Sequence, residues 1–176
     1  MQHNTFIYTI GYGNKQLADF IAILEKYDIQ YLLDVRSQPF SKHNKAFNRA
    51  ELHHYFQKNE SIMYAFFGDT LGGKPKEKSC YDTDGNVNYE LLKQQDFFQK
   101  ALERLKTAHR KNLKIALMCA CSKPEKCHRT KLIAEELVKD NIKVVHIDAK
   151  AKLKAHKEVM DILRREKNVL DLFHNT

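Results

Sequence analysis

Short apolar runs alternate with longer amphipathic segments along most of this chain. Apolar runs of about four to eight residues are typical of buried strands, and apolar residues that recur every three or four positions are typical of helices. The predicted strands are 6–10, 31–35, 62–66, 114–118 and 144–147, and the predicted helices are 14–27, 49–58, 89–110, 130–140 and 151–165. The alternation predicts an α/β fold, with a mostly parallel β-sheet of about five strands and helices on both faces.

The length of 176 residues predicts a single domain over residues 1–176, and a hydrophobic share of 43% is enough for a core. In the helix over 130–140, Ile133, Leu137 and Val138 are expected to face inward. The pattern breaks between residues 68 and 88, where glycine, proline and aspartate cluster. This segment is predicted to be an irregular loop that is either functional or a lid.

The net charge of +8 favours an anionic partner, either nucleic acid or a phosphorylated small molecule, although lysine-rich surfaces are also common without one. No apolar run approaches the roughly 18 residues that span a bilayer, so no membrane partner is expected. The first residues lack the pattern of a signal peptide, so a cytoplasmic location is expected. The oligomeric state stays open.

In parallel sheets, ligands bind beyond the carboxyl ends of the strands, and the notable motifs here begin where predicted strands end. After the first strand, Thr9 and Gly11 belong to a glycine turn that either approaches an anion or is an ordinary tight turn. After the second strand, the guanidinium of Arg36 is suited to binding two oxygens of an anion. The alternatives are an internal pair between Arg36 and Asp34, or an arginine on the surface.

A polar segment follows, in which Ser41 and Asn44 are predicted to hold an anion. Phe47 is predicted either to stack on a base or to anchor the loop in the core, with Asn48 capping the next helix. Gly72 and Gly73 either approach a phosphate or act as a plain hinge.

Three of the four cysteines, Cys119, Cys121 and Cys127, fall within nine positions, which is not the spread of a disulfide framework. Such a cluster indicates metal binding, redox chemistry or a nucleophile. Cys127, His128 and Arg129 are expected in the first turn of a helix, where the helix dipole and the arginine lower the pKa of a thiol.

These considerations predict a catalytic set of Cys127, His128, Arg129, Cys119 and Asp34, with His128 as a general acid or base. The arrangement is similar to rhodaneses and cysteine phosphatases, although its cysteine-to-arginine spacing differs from their short loop. The alternative is a metal site of Cys119, Cys121, Cys127 and His128. No cofactor is predicted, because this ligand spacing is uncommon and adjacent Cys127 and His128 are expected to point in different directions.

Taken in this order, the motifs resemble the domain-of-unknown-function family 488. The resemblance extends from Thr9 to about Leu137 and rests on 9–11, 34–37, Pro39, Ser41, Phe47, 71–73, Cys119, Pro124 and 127–129. No activity is established for that family, so the resemblance indicates which residues matter rather than what they do. Cys121 stands where the family pattern has an acidic residue, and Tyr12-Gly13 stand where it usually has His-Ser.

Three functions are therefore expected in this order. The first is binding or acting on nucleic acid or a nucleotide. The second is cysteine chemistry on a small molecule, by sulfur transfer or thiol redox. The third is metal binding by a regulator or sensor. Whether the protein is an enzyme is left open.

Overall fold

The computed structural model describes residues 5–174, and side chains through residue 168. Its strands are β1 (Ile7–Gly11), β2 (Tyr31–Asp34), β3 (Met63–Phe66), β4 (Ile115–Cys119), β5 (Val144–Ile147) and β6 (Leu153–Ala155). They form one sheet in the order β3-β2-β4-β1-β5-β6, in which only β6 pairs antiparallel. The predicted α/β fold is confirmed, with six strands rather than about five.

The helices are α1 (Leu17–Lys26), α2 (Arg49–Lys58), α3 (Gly68–Leu71), α4 (Tyr89–Lys93), α5 (Asp96–Arg110), α6 (Glu135–Lys139) and α7 (His156–His174). A π-helix, Arg129–Ala134, leads directly into α6. Apolar side chains of α1 and α2 pack on one face of the sheet, and those of α5 and α6 pack on the other. No helix within residues 5–174 is both long and apolar enough to cross a bilayer.

The predicted helix over 89–110 is two helices, because the backbone of Gln95 is extended, with ψ at 136°. Leu92 and Phe98 are both fully buried on either side of this break. The apolar spacing is thus preserved across it, and for this reason the pattern indicated one helix.

The prediction of a helix from residue 151 is wrong for its first turn. The carboxylate of Asp148 accepts hydrogen bonds from the backbone N–H groups of Lys150 and Lys152, and Ala151 has a φ of 57°. This turn reverses the chain, so that Leu153–Ala155 pairs antiparallel with β5 as an edge strand.

Within the predicted helix over 130–140, Ile133 and Leu137 are fully buried as expected, but Val138 is 41% exposed. A π-helical turn contains more residues than an α-helical turn. The stretch Arg129–Ala134 therefore shifts the phase of α6 relative to a regular helix, and Val138 turns toward solvent.

The segment 68–88, which was predicted to be an irregular loop, contains several short elements. It contains α3, a 3₁₀ turn at Lys78–Cys80, and an isolated bridge between Tyr81 and Val87. Leu71 and Cys80 are fully buried and attach the segment to the core.

Candidate functional site

The loops after β1 and β4 are joined beyond the carboxyl edge of the sheet. Gly11 lies opposite Cys119 in the parallel register. The pairing continues past the strands, because the backbone N–H of Tyr12 donates to Cys119 O at 3.1 Å and that of Gly13 donates to Ala120 O at 3.0 Å. These bonds fix the path of the chain from Cys119 through Cys121.

Three cysteines of this segment converge. The sulfur atoms of Cys119, Cys121 and Cys127 all lie within 4.8 Å of one another. Cys119 and Cys127 are buried, whereas Cys121 is exposed. The cluster therefore has a buried side and one side open to solvent.

His128 faces the same cluster. Its Nδ1 lies 3.9 Å from the sulfur of Cys119 and 3.8 Å from that of Cys127. Its Nε2 lies 2.9 Å from the carbonyl oxygen of Val35, which can only accept, so Nε2 carries a proton. If the ring is neutral, Nδ1 carries a lone pair that points toward the two sulfurs. In metal sites, a carbonyl group that binds the other ring nitrogen orients a histidine ligand in the same way.

The expectation that Cys127 and His128 point in different directions is wrong. Cys127 has an extended backbone, with φ of −111° and ψ of 145°, whereas His128 has helical angles of −61° and −27°. Their side chains converge because this change of conformation falls between them. The helix also begins at Arg129, so Cys127 precedes its first turn.

Arg129 is fully buried beside the cluster. Its Nη1 donates to the carbonyl oxygen of Cys121 at 2.9 Å, while Nε and Nη2 are buried without a hydrogen-bond partner. Among the side chains described, no carboxylate forms an ion pair with Arg129. Its positive charge lowers the pKa of Cys121 and Cys127, in opposition to larger effects that raise both.

The three thiols differ in acidity. Hydrogen bonds from the thiols of Cys121 and Cys127 lower the pKa of Cys119, with a further contribution from His128. The same bonds to Cys119 raise the pKa of Cys127 and Cys121. Cys119 is therefore the thiol of the cluster whose pKa is lowered, while the pKa values of its two neighbours are raised.

Gly11 is required by close packing. A Cβ atom at this position would lie 1.7 Å from Cys121 O and 2.8 Å from Arg129 Nη1. The glycine makes room for the hydrogen bond between Arg129 and Cys121.

Asp34 and Arg36 form the internal pair that was one of the alternatives at sequence level. Arg36 donates to the Asp34 carboxylate from Nε at 2.8 Å and from Nη2 at 2.6 Å, and Nη2 also donates to Phe47 O. Asp34 accepts a further bond from the Tyr64 hydroxyl at 2.8 Å. Burial opposes the charge of Arg36, but the bonds and charge of Asp34 outweigh it and raise the pKa of Arg36. Both groups are thus occupied within the protein.

Phe47 is fully buried, and its ring stacks on Tyr12 with the centroids 4.2 Å apart. It anchors the loop in the core and has no free face for a base. Asn48 precedes α2, but its side chain accepts from the backbone of Ser41 at 2.6 Å rather than capping the helix. Ser41 and Asn44 face a surface pocket that is described below.

Gly72 and Gly73 pack against the site. A Cβ at Gly72 would lie 2.3 Å from Ser37 Oγ, and one at Gly73 would lie 2.8 Å from His128 Cγ. Gly72 thus allows the loop to pass close to Ser37, and Gly73 allows it to pass close to His128.

Two pockets adjoin the cluster. A pocket of about 330 Å³ contains Lys74, Lys126, Tyr89 and His128 in its wall, together with all three cysteines of the cluster. A second pocket of about 680 Å³ shares Ala120 and Cys121 with the first. Both open at the sheet edge where the sequence predicted a site.

A buried chain of hydrogen bonds, on the same side of the sheet as the cysteine cluster, could not be predicted from the sequence. Thr9 Oγ1 lies 2.7 Å from His146 Nδ1, His146 Nε2 lies 3.0 Å from His156 Nδ1, and His156 Nε2 lies 2.8 Å from Glu135. Thr9 is thus hydrogen-bonded inside the protein. Two histidines on separate elements, ten positions apart, give no local pattern that would indicate this chain.

Acidification is expected to destabilise the fold through His146. Burial, with the charges of His156 and Arg129, lowers the pKa of His146 to about 3, below the ordinary value of about 6.5. The unfolded chain then binds the proton that the folded chain excludes, so stability falls as the pH drops below about 6.5. Urea unfolding should show a loss of about 2 kcal/mol between pH 7.5 and pH 5.0 that is absent in His146→Asn. The control variant His53→Asn, which changes an exposed histidine, should show the same loss as the wild type. An equal loss in His146→Asn would contradict the role of His146.

The family model for "Domain of unknown function DUF488" matches residues 16–137. The matched range includes the Asp34–Arg36 pair, the glycines at 72 and 73 and the whole cysteine segment, whereas Thr9 and Gly11 precede it. Comparison with curated proteins gave no match. Comparison with solved structures also gave none. The chain therefore belongs to the DUF488 family.

Proposed function

We propose that this protein binds a thiophilic divalent metal ion of the Zn²⁺ type at Cys119, Cys121 and Cys127, and that the resulting centre faces a bound anionic ligand. The observation that carries the proposal is the convergence of three sulfur atoms within 4.8 Å of one another. In a tetrahedral site with Zn–S bonds of about 2.3 Å, two sulfurs are about 3.8 Å apart. The cysteines need to close by only about an ångström to reach this geometry.

His128 is suited to be the fourth ligand. Its Nδ1 already stands 3.9 and 3.8 Å from two of the sulfurs, close to the ligand separation expected around zinc. Its Nε2 is bound to Val35 O, which holds the ring in the orientation that a metal requires.

The charge of Arg129 supports thiolate ligands. A divalent ion with three thiolates and one neutral imidazole has a net charge of −1. Arg129 supplies the compensating charge, and without an anion beside it the buried guanidinium would cost several kcal/mol. A metal–thiolate centre therefore gives the cysteine thiolates a cation to bind and gives the buried charge of Arg129 an anionic partner.

Lys74 and Lys126 make the pocket beside the cysteines attractive to an anion, and none of its lining residues is acidic. Lys126 also lies 3.8 Å from the carboxylate of Glu166, which is outside the lining. Its volume of about 330 Å³ fits a small molecule rather than a polymer. We infer that the ligand is a phosphorylated small molecule or nucleotide. Arg36 also lines this pocket, but its guanidinium is bound to Asp34, and Arg129 is fully buried outside the lining.

Elemental analysis of protein purified without chelator tests metal binding directly. Close to one equivalent of zinc or a similar ion is expected. Cys121→Ser should weaken binding by more than the roughly 10- to 100-fold that loss of a second-shell partner costs. Cys80→Ala is the matched control, because Cys80 is buried outside the cluster and its loss should leave the metal in place. Metal below about a tenth of an equivalent after incubation with Zn²⁺ would exclude the proposal.

Cysteine chemistry without a metal is the second candidate. The lowered pKa of Cys119 favours it, because the thiolate is the nucleophilic form and Cys119 lines the pocket. Iodoacetamide labelling of metal-free protein should then modify Cys119 below pH 7 faster than a free thiol. Equal or slower labelling would dismiss an activated nucleophile.

Nucleic-acid binding is the remaining proposal, supported by the net charge of +8. A filter-binding assay with single- and double-stranded DNA and RNA at low salt tests it, because phosphate contacts are strongest there. The absence of retention at low salt would remove this proposal and leave the small-molecule ligand.

A further inference from the structure

The larger pocket, of about 680 Å³, is polar, and its lining residues include no aspartate, glutamate, lysine or arginine. Three segments form its wall, 12–16 after β1, 41–44 before α2, and 120–122 after β4. Besides the Tyr12 hydroxyl, which accepts from Arg36, and the Cys121 thiol, the polar side chains in this wall are those of Asn14, Gln16, Ser41, His43, Asn44 and Ser122. Amides and hydroxyls without carboxylates or lysines favour a ligand that is neutral and rich in hydroxyl groups.

Part of this wall is held in place. The Ser41 hydroxyl accepts from the backbone N–H of Asn44 at 3.0 Å, and Asn44 Nδ2 donates to Lys15 O at 3.1 Å. Gly13 has a φ of 51°, and a Cβ there would lie 3.0 Å from Cβ of Ser122. The pocket therefore has a preformed floor, which reduces the cost of ordering it around a ligand.

Two amides in the wall are available to a ligand. The side chains of Asn14 and Gln16 are exposed, and neither makes a hydrogen bond to any residue in the described part of the chain. Asn44 Oδ1 and the Ser41 hydroxyl hydrogen are further groups that the bonds above leave unused. Together they offer both donors and acceptors, as recognition of hydroxyl groups requires.

The position of this pocket links it to the cysteine cluster. Ala120 and Cys121 belong to the walls of both pockets. The larger pocket, called the neutral pocket below, therefore meets the pocket that contains Lys74 and Lys126 at the exposed side of the cluster. The geometry points to a phosphorylated sugar as the ligand, with its hydroxyl-bearing part in the neutral pocket and its phosphate toward Lys74 and Lys126. This inference rests on the proposed anionic ligand and names its chemical class.

Calorimetric titration with ribose 5-phosphate, ribose and inorganic phosphate tests the inference. Ribose 5-phosphate should bind at least about tenfold more tightly than phosphate alone. Asn14→Ala and Gln16→Ala should each weaken ribose 5-phosphate binding by about fivefold or more and leave phosphate binding unchanged. Lys74→Ala should weaken both, whereas Gln57→Ala and Lys58→Ala, which change exposed side chains outside both pockets, should weaken neither.

Equal affinity for ribose 5-phosphate and phosphate would overturn the inference, as would unchanged binding in both amide variants. The metal content of every variant is measured in the same samples. If a sample contains one equivalent of metal but binds ribose 5-phosphate no better than phosphate, only the proposed class of ligand is refuted. If the protein contains no metal, the proposed metal centre is refuted.

Discussion

Replacement of Asp34 by asparagine is expected to destabilise the protein by about 3–5 kcal/mol, because it leaves the charge of Arg36 buried without its partner. Arg36 is 4% exposed and Asp34 fully buried, so solvent cannot replace the lost carboxylate. Urea unfolding followed by circular dichroism gives the difference in free energy.

Tyr64→Phe is the matched control for this variant. It removes one hydrogen bond to the same carboxylate and keeps the ion pair, so it should cost only about 1 kcal/mol. A loss below about 1 kcal/mol in Asp34→Asn would contradict the structural role of the pair. Folded Asp34→Asn protein should still bind metal, since the hydrogen bonds of the Asp34 carboxylate go to Arg36 and Tyr64 and not to the proposed ligands.

Replacement of Gly11 by alanine is expected to have the second large effect, on stability and on the metal together. The added methyl group would lie 1.7 Å from Cys121 O, so the backbone of the cysteine segment has to move. We expect a destabilisation of about 3 kcal/mol, at the upper end for overpacked sites, and metal affinity at least about tenfold weaker.

Gly85→Ala separates backbone strain from steric conflict. Gly85 has a φ of 79° and nothing within 4 Å of a Cβ, so alanine there should cost about 1 kcal/mol through strain alone and leave the metal unaffected. Gly11→Ala protein with wild-type metal affinity would show that the turn after β1 does not position the cluster.

The sequence was sufficient to predict the architecture, because the central strands are short apolar runs that the parallel sheet buries on both faces. Features that depend on local hydrogen bonds were missed. The carboxylate of Asp148 forms the turn before β6, and the extended backbone of Gln95 separates α4 from α5. Neither changes the apolar spacing on which the predictions rested.

The location of the candidate site was also predictable, because Gly11, Asp34 and Cys119 all stand at carboxyl ends of neighbouring strands. The orientation of the side chains was not. Arg36 and Phe47 face the interior because Asp34 and Tyr12 offer them partners there. The convergence of His128 with Cys127 depends on a change of backbone angles between adjacent residues, which no spacing rule indicates.

Anomalous scattering from crystals of the protein at the zinc absorption edge tests the central claim most directly. One peak is expected among the sulfurs of Cys119, Cys121 and Cys127, about 2.3 Å from each, and about 2.0 Å from Nδ1 of His128. The absence of a peak at these cysteines in crystals soaked with Zn²⁺, or a peak bound only by other residues, would contradict it.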